Sequence, residues 1–236
     1  MEKATLQKFI DKYHLAGSIE SVIWDSNGSL SCDFVSDSQS LVGNVKLKTN
    51  PISDAKVGIY QTSKLNKMLT ALASDIEITF DGDEKQKFAI SIEDKKNKAK
   101  FMLADPSVVK KAPAIKDLPS WDIELDVNDA LIADFIKARN AVPEAINFAI
   151  TTSGDKVKFV INYSSINTNR LTFDVDATKT TDIQPVAFDA DLFKNVITAN
   201  RGMKGTMKVS SKGLLQLTFT DDEFEAMYYL VMSQLS

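Results

Sequence analysis

The sequence predicts an α+β fold made of two similar halves, each combining two helices with antiparallel sheets. Three observations predict it. Short runs of alternating apolar and polar residues are separated by Asn-Gly, Asp-Gly and single-Gly turns, the pattern of half-buried strands. Four segments break the alternation with a helical period, and their starts lie about sixty residues apart. Three prolines, Pro106, Pro113 and Pro119, interrupt the strands near mid-chain and mark a connector.

The elements follow in order. The first helix, Lys3–His14, places Leu6, Phe9, Ile10 and Tyr13 on one side and Lys8 and Lys12 on another. "SIESVIWDSNGSLSCDFV" reads as a hairpin whose Asn27-Gly28 turn tolerates positive φ. The second helix, Ser63–Ser74, follows Thr62 as N-cap; its apolar stripe is Leu65, Met68, Leu69 and Leu72, with Lys64 and Lys67 away from it. "IEITFDGDEKQKFAISI" is a second hairpin, around Asp81-Gly82. The connector, residues 105–120, separates a first domain (1–104) from a second (121–236).

The third helix, Asp129–Ala141, begins after Asn128 and stops before Pro143, which cannot continue it. Leu131, Ile132, Phe135 and Ile136 point inward, Lys137 and Asn140 outward, and Arg139 lies near the apolar arc with its direction open. "INFAITTSGDKVKFVINY" turns at Gly154. The fourth helix, Asp191–Arg201, follows Asp189 or Ala190; Leu192, Phe193, Val196 and Ile197 are its buried face and Lys194, Thr198 and Arg201 its outer strip. The last strands turn at Gly213 and Asp221-Asp222. "TLQKFIDKYHLAGSIESVIWDSNG" parallels "DALIADFIKARNAVPEAINFAITTSG", and "VGIYQTSKLNKMLTALASDIEITFDG" parallels "PVAFDADLFKNVITANRGMKGTMKVSSKG".

The chain has 236 residues, 28 basic and 32 acidic, with a single histidine and a single cysteine. One cysteine excludes an internal disulfide and fits a reducing compartment. No run approaches the roughly 18 apolar residues of a membrane span, and "MEKATLQKFIDKYH" lacks a signal-peptide core, so a cytoplasmic protein without membrane contact is expected. The acidic total argues against nucleic acid, but the charge is unevenly placed. The four helices hold nine basic and four acidic residues; the rest of the chain holds 19 basic and 28 acidic. Helix-face lysines without interleaved aromatics suit sequence-independent phosphate contact, against the plainer alternative of a solvated face.

Catalytic motifs are missing. There is no Gly-rich phosphate loop. His14 alone cannot build a two-histidine metal site, and Cys32 has no evident base. Asp81, Asp83 and Glu84 lack calcium-loop spacing and read as a hairpin turn. No enzyme activity, cofactor or metal is expected. "EDKKNKAK", Glu93–Lys100, reads as a solvated hairpin tip, within reach of DNA or a loading machine if the chain forms a ring.

Two halves of two basic helices each resemble the DNA sliding clamps, in particular those of T-even-type bacteriophages. "VGIYQTSKLNKML" resembles their strand-to-helix segment. "FMLADPSVVKKAP", with Ala104-Asp105-Pro106-Ser107, resembles their connector entrance, and "FIKARNAVPEAINFAIT" their third helix and following strand. "EAMYYLVM" is similar to the last strand of proliferating-cell nuclear antigen, with Val231-Met232 where that protein has Ala-Pro.

The resemblance implies the DNA-clamp fold: a homotrimeric ring with helices on the inner face of its sheets. Such a ring encircles double-stranded DNA and tethers the replicative polymerase after a separate ATP-driven loader places it. Lys3, Lys8, Lys12, Lys64, Lys67, Lys137, Asn140, Lys194 and Arg201 would face DNA. Edge strands near Lys98–Ala104 and Arg170–Asp176 would join subunits through Phe101, Leu103, Leu171 and Phe173, unless both lie inside one closed sheet. Val108, Val109, Ile115, Leu118, Tyr229, Val231 and Met232 would line a groove for client peptides, beside a connector joining domains of one continuous sheet. In phages the setting is the host cytoplasm, and the clamp also supports late transcription. The alternatives are a monomeric clamp-like DNA-binding processivity factor and a structural β-protein that does not bind DNA.

Overall fold

The computed structural model describes residues 1–83, 86–113, 115, 118–154, 156–164, 166 and 168–233. It divides into two units, one of Met1–Asp37, Val42–Pro113 and Asp222–Ala226, the other of Ser38–Leu41, Ala114–Asp221 and Met227–Ser236.

In the first unit, β1 (Val22–Asp25), β2 (Leu30–Val35), β3 (Leu41–Leu47) and β4 (Lys56–Ile59) lie in the order β4-β1-β2-β3. A second sheet orders β5 (Glu77–Gly82), β6 (Lys87–Glu93) and β7 (Lys98–Met102) consecutively. Helix α1 (Lys3–His14) buries Leu6, Phe9, Ile10 and Tyr13, and Phe9 meets Trp24 of β1 edge-on at 5.7 Å. Helix α2 (Thr62–Thr70) packs beside α1 and buries Leu65 and Leu69, while Met68 is half-buried. It is shorter than its apolar stripe suggests. Beyond Thr70 the Lys3 ammonium donates to the Leu72 carbonyl, and the Ala73 N–H donates to Asp94 instead of continuing the helical ladder.

The second unit repeats the plan. Strands β8 (Ile123–Val127), β13 (Lys204–Ser210), β14 (Leu214–Thr220) and β15 (Phe224–Val231) form one sheet in the order β15-β14-β13-β8. The start of β15, Phe224–Ala226, belongs to the first unit. Strands β9 (Asn147–Ser153), β10 (Lys156–Ile161), β11 (Leu171–Asp176) and β12 (Val186–Asp189) form the other, in the order β11-β10-β9-β12. Helices α3 (Asp129–Ala141) and α4 (Ala190–Ala199) start at their expected caps: the Asn128 and Asp189 side chains accept from Leu131 N–H at 2.9 Å and Leu192 N–H at 2.8 Å. Helix α4 ends before Arg201, where the buried Asn200 amide donates to the Val196 carbonyl and to Tyr228 Oη. Ile136 and Leu192 are half-buried and not fully inward, because each lies at the margin of its stripe.

Phe148 of β9 centres the second core. Its ring lies 4.6 Å from Phe193, 5.0 Å from Phe135, and 5.9 Å from both Phe159 and Phe188. At the β13–β14 turn, Gly213 has φ +88°, and a Cβ there would sit 2.3 Å from Met232 Sδ, so a side chain is excluded on both grounds. The central ring yields a direct test. Phe148→Ala should lower unfolding stability by about 3–5 kcal/mol, the usual range for truncating a buried aromatic, read from denaturant midpoints at unchanged slope.

Candidate nucleic-acid interface

The start of α2 is built from a distance. Gln61, its N-cap, has φ 58° and no side-chain cap bond, so Thr62 is the first helical residue and not the expected cap. Glu20 supplies what is missing. Its backbone carbonyl accepts from Thr62 N–H at 3.0 Å and Thr62 Oγ1 at 2.9 Å. Its carboxylate accepts from Ser63 N–H at 3.0 Å and from the Ser63 hydroxyl. Burial pushes this carboxyl up, but the Ser63 side chain and backbone donors and His14 outweigh it and leave it below the ordinary glutamate value. Lys64 and Lys67 therefore ride on a helix anchored by Glu20.

His14 completes this cluster, with Nε2 3.1 Å from Glu20 Oε1 and 3.0 Å from Ser63 Oγ. Carboxylate and hydroxyl meet the same ring nitrogen. A nucleophilic relay needs them on opposite nitrogens, so serine, histidine and glutamate here form a cap and not a triad. Burial, and then the charge of Asp33, push the Cys32 thiol well above its ordinary value, which keeps it protonated and inert. Among the described residues no three metal-ligating side chains cluster, and no helix is long and apolar enough to cross a membrane. Glu84 of the Asp81–Glu84 turn lies outside the described residues.

The basic residues divide by their partners. Among the described residues, the ammonium groups of Lys64, Lys67, Lys137 and Lys194 have no hydrogen-bond or ion-pair partner; the first three residues are exposed and Lys194 is half-buried. Asn140 is exposed on α3. Lys3 is half-buried against the end of α2, and Lys8 lies 3.5 Å from Glu223 in an open pair of little strength. The expectation for Lys12 fails. It is 4% exposed, with its ammonium 5.1 Å from the centroid of the Phe224 ring, because the start of β15 covers this side of α1. Arg139 turns inward: Nη2 lies 3.1 and 3.2 Å from the two Asp191 oxygens, and Nη1 donates to the Val142 carbonyl at 3.0 Å. Arg201 approaches Asp129 at 3.6 Å.

Strands β7 and β11 are edges of their sheets, so neither lies inside a closed one. Leu103 N–H donates to the Phe88 carbonyl, so by alternation the amides of Lys98, Lys100 and Met102 face the open side of β7. Asn162 N–H donates to the Asn147 carbonyl, which turns the alternate residues of β10 toward β11 and leaves Thr172, Asp174 and Asp176 facing out. Phe101 is 5% exposed, so its side chain belongs to the core of its own unit and is not available to a second copy. Leu103, Leu171 and Phe173 are half-buried, and Phe173 stacks on Phe159 at 5.2 Å.

The apolar residues expected to meet clients also divide. Val108 in the first unit is exposed, and Val109 is buried, close over Gly58. In the second unit Ile115, Leu118, Val231 and Met232 are exposed, and Tyr229 is buried with its hydroxyl bonded to Gln216 at 2.8 Å. Val109 and Tyr229 thus support their units from below and offer little surface. The covered Lys12 and the Glu20 cap depend on residues distant in sequence and had no local signal; Arg139 had one in its place near the apolar arc, but its partner Asp191 had none.

No protein-family model matches the chain, and no curated protein matches it in sequence. Solved structures do match over nearly its full length. Proliferating-cell nuclear antigen (PCNA) from Entamoeba histolytica aligns with a TM-score of 0.74 at 15% identity, covering 99% of this chain and 96% of that one. A chain of the A. fulgidus PCNA structure with the C-terminal region of FEN-1 bound aligns with a TM-score of 0.73 at 14% identity, covering 100% and 98%. The PCNA2–PCNA3 complex from Sulfolobus tokodaii gives 0.71 at 12% identity, covering 98% and 97%. The chain has the PCNA-like clamp fold.

The Glu20 cap has a pH signature. Its folded pKa is depressed, so its stabilisation is complete above the unfolded glutamate value and is lost as pH falls through the folded value. Protection of the Ser63 amide, its exchange rate set against the intrinsic rate at each pH, should fall across that acid window. Glu20→Gln should show the faster exchange already at neutral pH; unchanged protection in the variant would exclude the carboxylate as the cap.

Proposed function

We propose that the chain is a sliding clamp, a non-catalytic homotrimer that encircles duplex DNA and tethers a replicative polymerase. One observation carries the reading: an acidic chain with the clamp fold leaves Lys64, Lys67, Lys137 and Lys194 unpaired on its helices. Ammonium groups are hydrated point charges, which contact phosphates without reading sequence and exchange them readily. A closed ring needs no tighter grip, because it leaves DNA only by opening or by running off an end.

The open edges of β7 and β11 support assembly. Each copy carries both, so pairing β7 of one copy with β11 of the next is a head-to-tail contact that closes into a ring when its rotation permits. In this reading a separate ATP-driven loader opens the ring, and the exposed Val108, Ile115, Leu118, Val231 and Met232 take client peptides. The segments resembling T-even-type phage clamps extend the proposal to phage replication in the host cytoplasm, with late transcription as a second role.

Light scattering after size-exclusion chromatography should give a mass near three chains. Reversing Lys64, Lys67, Lys137 and Lys194 to Glu should keep that mass but abolish processive synthesis, and lower the salt slope of duplex binding by about 3.6, at 0.9 per lost contact. A monomer holding linear and circular DNA alike would identify a basic-face factor in place of a ring. Absence of both DNA binding and polymerase stimulation would identify a structural protein.

The edge assignment has its own test. The Asp174 amide faces outward, so Asp174→Pro removes no bond of its own sheet. It should yield folded monomers with an unchanged circular dichroism spectrum; a persisting trimer would exclude this edge. Phe173→Pro, which breaks the inner ladder, should instead unfold the unit.

A further inference from the structure

We propose that the tip of the β6–β7 hairpin is a further phosphate-contact site, in which Asp94 holds Lys95 and Lys96 out beside the end of α2. Its ligand, duplex DNA, rests on the function proposed above.

The hairpin is rich in lysine, but its lysines are not equivalent. Lys98 pairs with Glu93 at 3.3 Å, and Lys100 pairs with Asp81 at 2.7 Å while lying 5.4 Å from the Phe88 ring centroid. Those two are engaged within their own sheet. Lys95 and Lys96 are exposed and, among the described residues, their ammonium groups have no hydrogen-bond or ion-pair partner.

The tip is held in place. Asp94 accepts the backbone N–H groups of Ala73 at 2.6 Å, Lys96 at 2.7 Å and Asn97 at 2.6 Å, and the Asn97 side-chain amide at 3.2 Å. Its own N–H donates to the Asn97 carbonyl at 2.9 Å. These donors, Ala73 first, hold its carboxyl far below the usual carboxylate range. The charge of Asp94 is therefore taken up by backbone donors and is a poor counter-ion for the two lysines that follow it.

Ala73 lies just past the end of α2, so the tip is tied to the helix that carries Lys64 and Lys67. The same helix end receives the Lys3 ammonium at the Leu72 carbonyl, which offsets the negative end of the helix dipole. Three cations thus gather there. A recess of about 520 Å³ lies between tip and helix end, lined by Ala71–Asp75 and Asp94–Asn97. Asp75 is the exposed acid opposing them. The repeat makes the site specific to the first unit: the matching β14–β15 connection is Asp221-Asp222-Glu223 and holds no basic residue.

The test uses the full chain and a linear duplex of about 30 base pairs, with affinity followed across a salt series. Lys95→Ala with Lys96→Ala should reduce the salt slope by about 1.8, at 0.9 per phosphate contact, while Lys98→Ala leaves it unchanged. Asp94→Ala separates positioning from charge. Removing an acid from a polyanion-binding surface strengthens binding, so weaker binding by this variant means that Asp94 acts by holding the tip. An unchanged slope in the double variant, with a lowered one in Lys64→Ala with Lys67→Ala, overturns the tip site and leaves the clamp reading standing. No salt-dependent binding by the unaltered chain overturns both.

Discussion

A helix packed on a sheet has one free face, and this constraint organises the protein. Helices α1 and α3 bury Phe9 and Phe135 at the hearts of their units, so their partner-facing chemistry is confined to the opposite strip. The strips are short of acids, although the whole chain is acidic. Such a separation lets one molecule attract a polyanion on one surface while its other surfaces repel it.

Periodicity revealed what is local. The bounds of α1 and α3 could be read from the sequence because their stripes, the Asn128 cap and Pro143 all lie within one segment. The bounds of α2 could not. Its first turn is completed by Glu20 and its end is fixed by Asp94 and Lys3, partners more than 20 residues away. The same limit explains Lys12: helical geometry put it on another side from the stripe, and only the return of the chain at Phe224 covers it. Arg139 and Asp191 likewise meet across two helices. Long-range partners thus decide which charges stay open, and a helical wheel cannot supply them.

The difference between arginine and lysine carries the electrostatics further. Arg139 uses its planar fork to bind a carboxylate and a carbonyl together, tying the end of α3 to the start of α4. Its positive charge is spent on architecture. The lysines left open are flexible point charges that lose little by exchanging one phosphate for the next. Counting basic residues on helices therefore overstates the surface available to a polyanion, and the division by residue type is more informative than the total.

The two units do not share that surface equally. Arg139 of α3 and Arg201, just past α4, are each paired with an acid of the other helix, leaving Lys137 and Lys194. The first unit keeps Lys64 and Lys67 on α2, and the hairpin anchored to the same helix adds Lys95 and Lys96. The internal repeat supplies one scaffold twice, and the two copies are unlike in charge. In the proposed ring the first unit of each copy would supply more of the phosphate contacts than the second.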